Sequence, residues 1–184
     1  MTAQSTFKPS DLLLMRSQLE EQWANDYLGE QPPEANQLDF IVGSWDMTRR
    51  AFDLEGNVTA ESEGEMHAQK LLEDRIIQEI YYSYLPDGRR FRGGIGLHSY
   101  IPSTKQWVTA SLDAAVGANS AVHIKNGDEF VYESSFEIQG VPIRLRGRWY
   151  SINEDSYFWE GSGSLDGETW LKTYEVHMVR KLNC

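Results

Sequence analysis

The sequence predicts an all-β protein, an antiparallel up-and-down β-barrel of roughly eight to ten strands preceded by one α-helix. Three observations carry this. From Leu38 onward apolar residues recur with a period of two, interrupted at regular intervals by turn residues. Four interruptions, Asp87-Gly88, Asn126-Gly127, Gln139-Gly140 and Asp166-Gly167, have the residue types of tight hairpins. Counting outward from each turn separates an aromatic-rich face from a more charged one, as a sheet with one buried face requires. Hairpins that each bury one face close most economically as a barrel, because closure removes the exposed strand edges. A barrel of this size is wide enough for one small ligand.

At 184 residues the chain is long enough for one domain with a substantial core. It divides into an N-terminal helical extension and linker, 1–37, and a barrel domain, 38–184. The formal charge of −11 argues against nucleic-acid and anionic-membrane partners, since both surfaces repel a protein of this sign. The single cysteine, Cys184, excludes an intrachain disulfide, and no Cys/His cluster has zinc spacing. With no signal-peptide core near the start and no run approaching the roughly 18 apolar residues of a membrane span, a cytoplasmic setting is expected. Nothing calls for a cofactor or a metal.

Residues Ser10 to Leu28 read as helix, with Leu12, Met15, Leu19, Trp23 and Tyr27 at spacings of three and four, Pro9-Ser10 as a start and Gly29 as a stop. That apolar face is expected to pack on the barrel or plug one end. A lid over the barrel mouth or a homodimer contact are its functional alternatives. Glu30 to Gln37, containing Pro32-Pro33, reads as a linker, and the barrel is expected to begin at Leu38.

Turn arithmetic sets the registers. The Asp87-Gly88 hairpin places Tyr84 opposite Phe91, Tyr82 opposite Gly93 and Ile80 opposite Ile95. The Asn126-Gly127 hairpin pairs His123 with Phe130 and Ala121 with Tyr132. Around Gln139-Gly140, Phe136 meets Ile143, Ser134 meets Leu145 and Phe130 meets Trp149, with Glu133 opposite Arg146. Around Asp166-Gly167, Trp159 meets Tyr174 and Tyr157 meets Val176.

The stretch Leu38-Asp39-Phe40-Ile41-Val42-Gly43-Ser44-Trp45, with Asp166-Gly167-Glu168-Thr169-Trp170 and the closing Val179-Arg180, resembles a family of uncharacterised bacterial lipocalin-like domains of the calycin superfamily. The resemblance covers roughly Gln37 to Lys181 and leaves the helix outside. It implies a calycin-type barrel in which Trp45 seals the closed end beneath Arg180, and it brings no settled activity.

The inner wall read from the registers holds Gln78, Tyr82, Tyr84, Phe130, Tyr132, Trp149, Tyr157, Trp159 and Tyr174, with His123 as the one histidine placed inside. Rings that bury large apolar bodies and carry polar tips suit a small hydrophobic or aromatic ligand. For chemistry, His123 is the candidate acid-base group, Asp113 the carboxylate that could orient it, and Tyr132 a polarising hydroxyl. Arg144, Arg146 and Arg148 share one face, which the Glu133 pairing turns outward. Arg92-Gly93-Gly94-Ile95-Gly96 sits in a strand pattern, where glycines mark bends or close packing rather than a phosphate cradle. Small-molecule binding in the barrel is the expected function. The alternatives are isomerisation or cyclisation of a hydrophobic substrate in the same cavity and an interaction role for the helix.

Overall fold

A computed structural model describes residues 9–114, 117–138 and 141–181, with side chains from residue 15 onward except 124–125 and 136–138. The Leu12 and Phe136 side chains, the Gln139-Gly140 turn and Cys184 therefore lie outside the described residues. Helix α1 (Pro9–Leu28) is followed by two short 3-10 segments, Pro33–Asn36 and Asp39–Ile41. The strands are β1 (Gly43–Phe52), β2 (Val58–Leu71), β3 (Ile76–Tyr84), β4 (Arg90–Ile101), β5 (Gln106–Asp113), β6 (Gly117–Asn126), β7 (Glu129–Ile138), β8 (Val141–Tyr150), β9 (Ser156–Ser164) and β10 (Leu171–Arg180). Each pairs antiparallel with its sequence neighbours, and β1 closes the barrel against β10. No described helix is long and apolar enough to cross a membrane.

One end is plugged by the segment just before β1. Leu38 and Ile41, three residues apart, are both fully buried, so this stretch is a 3-10 turn and the first strand starts at Gly43 rather than Leu38. Trp45 Nε1–H donates to the Ile41 carbonyl at 2.8 Å, and Trp107 Nε1–H donates to the Glu34 carbonyl at 3.1 Å. Arg180 lies 4.1 Å over the Trp45 ring and donates to the carbonyls of Val42, Phe40 and Glu154. The Trp45–Arg180 pairing implied by the lipocalin-like resemblance is therefore present. Gly43 makes it fit: its φ is +131°, and a Cβ there would lie 2.5 Å from an Arg180 nitrogen.

Helix α1 does not plug the barrel. Its stripe of Met15, Leu19, Trp23 and Tyr27 is exposed, Trp23 by 58%. The end it could have filled is already occupied by Leu38 and Ile41. Its C-terminal turn is tied down: Arg75 stacks on Tyr27 at 4.9 Å and donates to the Asp26 and Gly29 carbonyls, and the Ser103 hydroxyl donates to Asp26 at 2.7 Å.

The β7–β8 register is the expected one, with Phe130 opposite Trp149 and Glu133 opposite Arg146. The β3–β4 register also agrees at Tyr82–Gly93 and Ile80–Ile95, while a bulge moves Tyr84 onto Arg90. The other two differ by two residues. His123 pairs with Tyr132, because Gly127 at φ +62° takes the first position of the loop between Asn126 and Glu129. Trp159 pairs with Val176 and Gly161 with Tyr174, because the turn is a wider loop built on Asp166. The Asp166 carboxylate accepts the Glu168 and Thr169 N–H groups and the Ser164 hydroxyl. Those bonds hold Asp166 well below the usual carboxylate pKa range, the Thr169 N–H contributing most. Even-numbered shifts keep every side chain on its face. Tyr132, Tyr157, Trp159 and Tyr174 thus stay inside.

Candidate functional site

Above the plug the barrel holds a cavity of about 190 Å³ that reaches Gly117 and Asn119 at the opposite end. Side chains alternate across each strand, so one face of every strand lines the interior. Trp149, Trp159, Tyr132 and Tyr174 form the aromatic wall, with Trp159 and Tyr174 at 4.9 Å and Tyr132 and Trp149 at 5.5 Å between ring centroids. Glycine makes room for them. A Cβ on Gly147 would collide with the Tyr132 ring, and one on Gly161 would lie 2.8 Å from the Tyr174 ring.

Facing these rings near the open end is a charged group. The Tyr81 hydroxyl and Arg92 Nε–H both donate to Asp113 Oδ2 at 2.7 Å, and the Asp113 side chain is only 6% exposed. Arg49, on β1, lies 4.8 Å over the Tyr174 ring. Its Nε is buried without a hydrogen-bond partner among the described residues. Burial and the neighbouring Arg92 charge lower the Arg49 pKa. Burial also works against the Arg92 charge, but Asp113 outweighs it and the Arg92 pKa is raised. Burial and the bond to Asp113 drive the Tyr81 pKa well up, so the phenol stays protonated and donates.

Deeper in the barrel, Thr109 joins two histidines. Its Oγ1 lies 2.8 Å from His98 Nδ1 and is also hydrogen-bonded to His123 Nε2. His98 is 1% exposed, and its Nε2 lies 3.6 Å from Glu79 Oε2. The carboxylate favours a proton on His98 Nε2, so Nδ1 accepts from the Thr109 hydroxyl, whose oxygen accepts from His123 Nε2–H. This ordering leaves His123 Nδ1 as a bare acceptor, and it is buried without a partner among the described residues. Burial, with a smaller contribution from His98, pushes the His123 pKa down to about 3. The ring is neutral near pH 7.

Of the residues read from the sequence, Tyr132, Trp149, Tyr157, Trp159, Tyr174 and Asp113 line the cavity. His123 is inside the barrel but packs behind the wall, its ring 5.0 Å from those of Tyr132 and Trp149. Phe130 is buried toward the plug, against Phe40 at 6.0 Å. Three inner-wall assignments are corrected. Gln78 bonds Gln69 on the outer face, Tyr82 lies beneath Arg90 at 4.0 Å, and the Tyr84 hydroxyl donates to Glu65 at 2.5 Å. The inner face of β3 is Ile77, Glu79, Tyr81 and Ser83. Both faces of this strand carry tyrosines, and Arg90 covers the outer ones, so aromatic content did not mark the buried side.

Asp113 does not orient His123. It closes β5 opposite Gly117, whereas His123 sits opposite Trp107, six positions down the strand and roughly 20 Å away at about 3.3 Å per residue. The Ala114–Ser120 connection is mostly the start of β6, with 115–116 outside the described residues. Glu79, His98, Thr109, Arg49 and Arg92 are cavity residues that the sequence reading missed. Gly94 and Gly96 were the available signal, since small residues on β4 mark where Tyr81 and Glu79 cross: a Cβ on either glycine would lie 2.5 Å from the opposing side chain. The arginine trio on β8 faces outward as expected, with Arg146 bonded to Glu133 at 2.6 Å and Arg148 to Glu160 at 3.2 Å. Among the described residues, no three His, Cys, Asp or Glu side chains are grouped to hold a metal ion.

No family model matches the chain, and no curated protein matches it in sequence. Solved structures do. Rv2717c from M. tuberculosis superposes with a TM-score of 0.58 at 11% identity, over 83% of this chain and 100% of that one. The S-type phycobiliprotein lyase CPES from Guillardia theta gives 0.54 at 10% identity, over 79% of this chain and 91% of that one. These proteins share the fold of this chain. At such identities the likeness concerns the fold, and it agrees with the lipocalin-like resemblance of Leu38 to Trp45.

Proposed function

We propose that this calycin-like barrel binds one small, amphipathic aromatic molecule in its cavity. The observation that carries the reading is the asymmetry of the cavity wall: packed indole and phenol rings on one side, hydrogen-bonding and charged groups on the other. The volume, about 190 Å³, lies below the roughly 300–1,000 Å³ of pockets for drug-sized ligands. A molecule of one or two rings suits it. Native mass spectrometry of the purified protein, followed by denaturing extraction, tests this. Release of a defined aromatic compound supports it, and an empty protein that fails to bind small aromatic acids or amides overturns it. A protein without nucleic-acid or anionic-membrane partners belongs to the same reading, on the charge of −11.

Catalysis in the same cavity has one observation in its favour. The His98–Thr109–His123 chain is hydrogen-bonded, with His98 at the cavity wall and Glu79 Oε2 3.6 Å from its Nε2. It would let a proton move while the aromatic wall holds one conformer for isomerisation or cyclisation. In that case His98→Ala abolishes turnover of an extracted ligand with binding retained, whereas unchanged recovery of the ligand from wild-type protein excludes it. An interaction role for α1, homodimerisation included, is tested separately. Trp23→Ala should then alter the oligomeric state in sedimentation while leaving cavity binding alone.

A further inference from the structure

We infer that the mouth of the cavity is a carboxylate site, in which Arg49 and Arg92 together receive the acid group of an aromatic ligand. The inference rests on the cavity being a binding site for such a molecule and names the group that orients it. Arg49, Arg92 and Asp113 come together from β1, β4 and β5, so the cluster has two positive charges and one negative. Asp113 is engaged by Arg92 and Tyr81. Glu79, the other carboxylate on the wall, lies deeper, against His98. No carboxylate lies within ion-pair distance of Arg49 among the described residues, and its Nε is buried and unbonded. Arg49 is only partly buried, but a buried N–H left without a partner costs stability, which a bound anion would offset.

The kind of anion follows from charge and shape. One surplus positive charge matches a carboxylate, whereas a phosphate monoester brings about −1.5 to −2. A planar guanidinium fork also suits the two oxygens of a carboxylate. The rings of Tyr174 and Trp159 adjoin this position, Arg49 lying directly over Tyr174. A ligand whose acid meets the arginines thus lays its aromatic part along that wall.

Naphthalene-2-carboxylate and naphthalene-2-carboxamide share a shape and differ in charge. Titrated calorimetrically into the full chain near neutral pH, the carboxylate should bind at least about tenfold more tightly, a difference of roughly 1.4 kcal/mol. In Arg49→Met the preference should vanish, with the amide's affinity unchanged and the fold verified by circular dichroism. Arg49→Gln serves if the Met variant does not fold. Equal binding of the two probes to wild-type protein, or equal weakening of both by the substitution, overturns the carboxylate site and leaves the aromatic cavity standing. Tighter binding of 1-naphthyl phosphate than of the carboxylate overturns the choice of anion. If neither naphthalene probe binds, the cavity reading fails and the site with it.

Discussion

The two ends of this barrel treat an arginine in opposite ways. At the plugged end Arg180 lies over Trp45, and its guanidinium nitrogens reach three backbone carbonyls. At the open end Arg49 also lies over a ring, that of Tyr174, but its buried Nε has no partner among the described residues. A satisfied buried charge holds structure together, while an unsatisfied one lowers stability and is kept where binding can use it. Hydrogen-bond completeness, rather than residue type, is what sets the structural clasp at Arg180 apart from the proposed ligand site at Arg49.

Substitution can break that contrast, most severely at the plug. Trp45→Ala removes a fully buried indole and should cost about 3–5 kcal/mol in denaturant unfolding. Above the plug, His123 makes stability pH-dependent. Its pKa is pushed down to about 3 in the folded chain against an unfolded value of 6.5, so between these pH values the unfolded state binds the extra proton. Stability is therefore full above about pH 6.5 and falls as pH drops toward 3, by a few kcal/mol at most. His123→Phe should flatten that part of the profile in urea titrations. Arg180→Met is expected to lose about 2 kcal/mol, from charged hydrogen bonds and the cation–π contact. The smallest effect has the opposite sign: Arg49→Met should raise the unfolding free energy in urea by about 0.5–1 kcal/mol, because it removes a buried N–H without a partner. A loss at Arg49 as large as that at Arg180 would place both arginines in the same structural class.

Legibility in the sequence divided along similar lines. The β7–β8 hairpin was readable because its two faces differ sharply, Glu133 and Arg146 on one and Phe130 and Trp149 on the other. The β3 strand was not, because tyrosines stand on both of its faces and Arg90 shelters the outer ones. Registers counted from Asn126-Gly127 and Asp166-Gly167 missed by two residues, since a glycine with positive φ and an aspartate collecting N–H groups each shaped a loop that dipeptide rules do not specify. The faces survived because the slips were even. Asp113 does line the cavity but was given the wrong neighbour, since six residues of extended strand separate it from His123.

By itself the sequence determined the period-two alternation and where the hairpins turn, because these depend on neighbours along the chain and on faces of single strands, while the sealing pair Trp45 and Arg180 was implied by the family resemblance. Tertiary structure decided the site. Arg49 on β1 and Tyr174 on β10 meet only once the barrel closes, while Tyr81, Arg92 and Asp113, and likewise Glu79, His98, Thr109 and His123, are brought together by the registers of consecutive strands. Closure brings distant side chains within a few ångströms across the interior, and no local pattern encodes which of them will share that space.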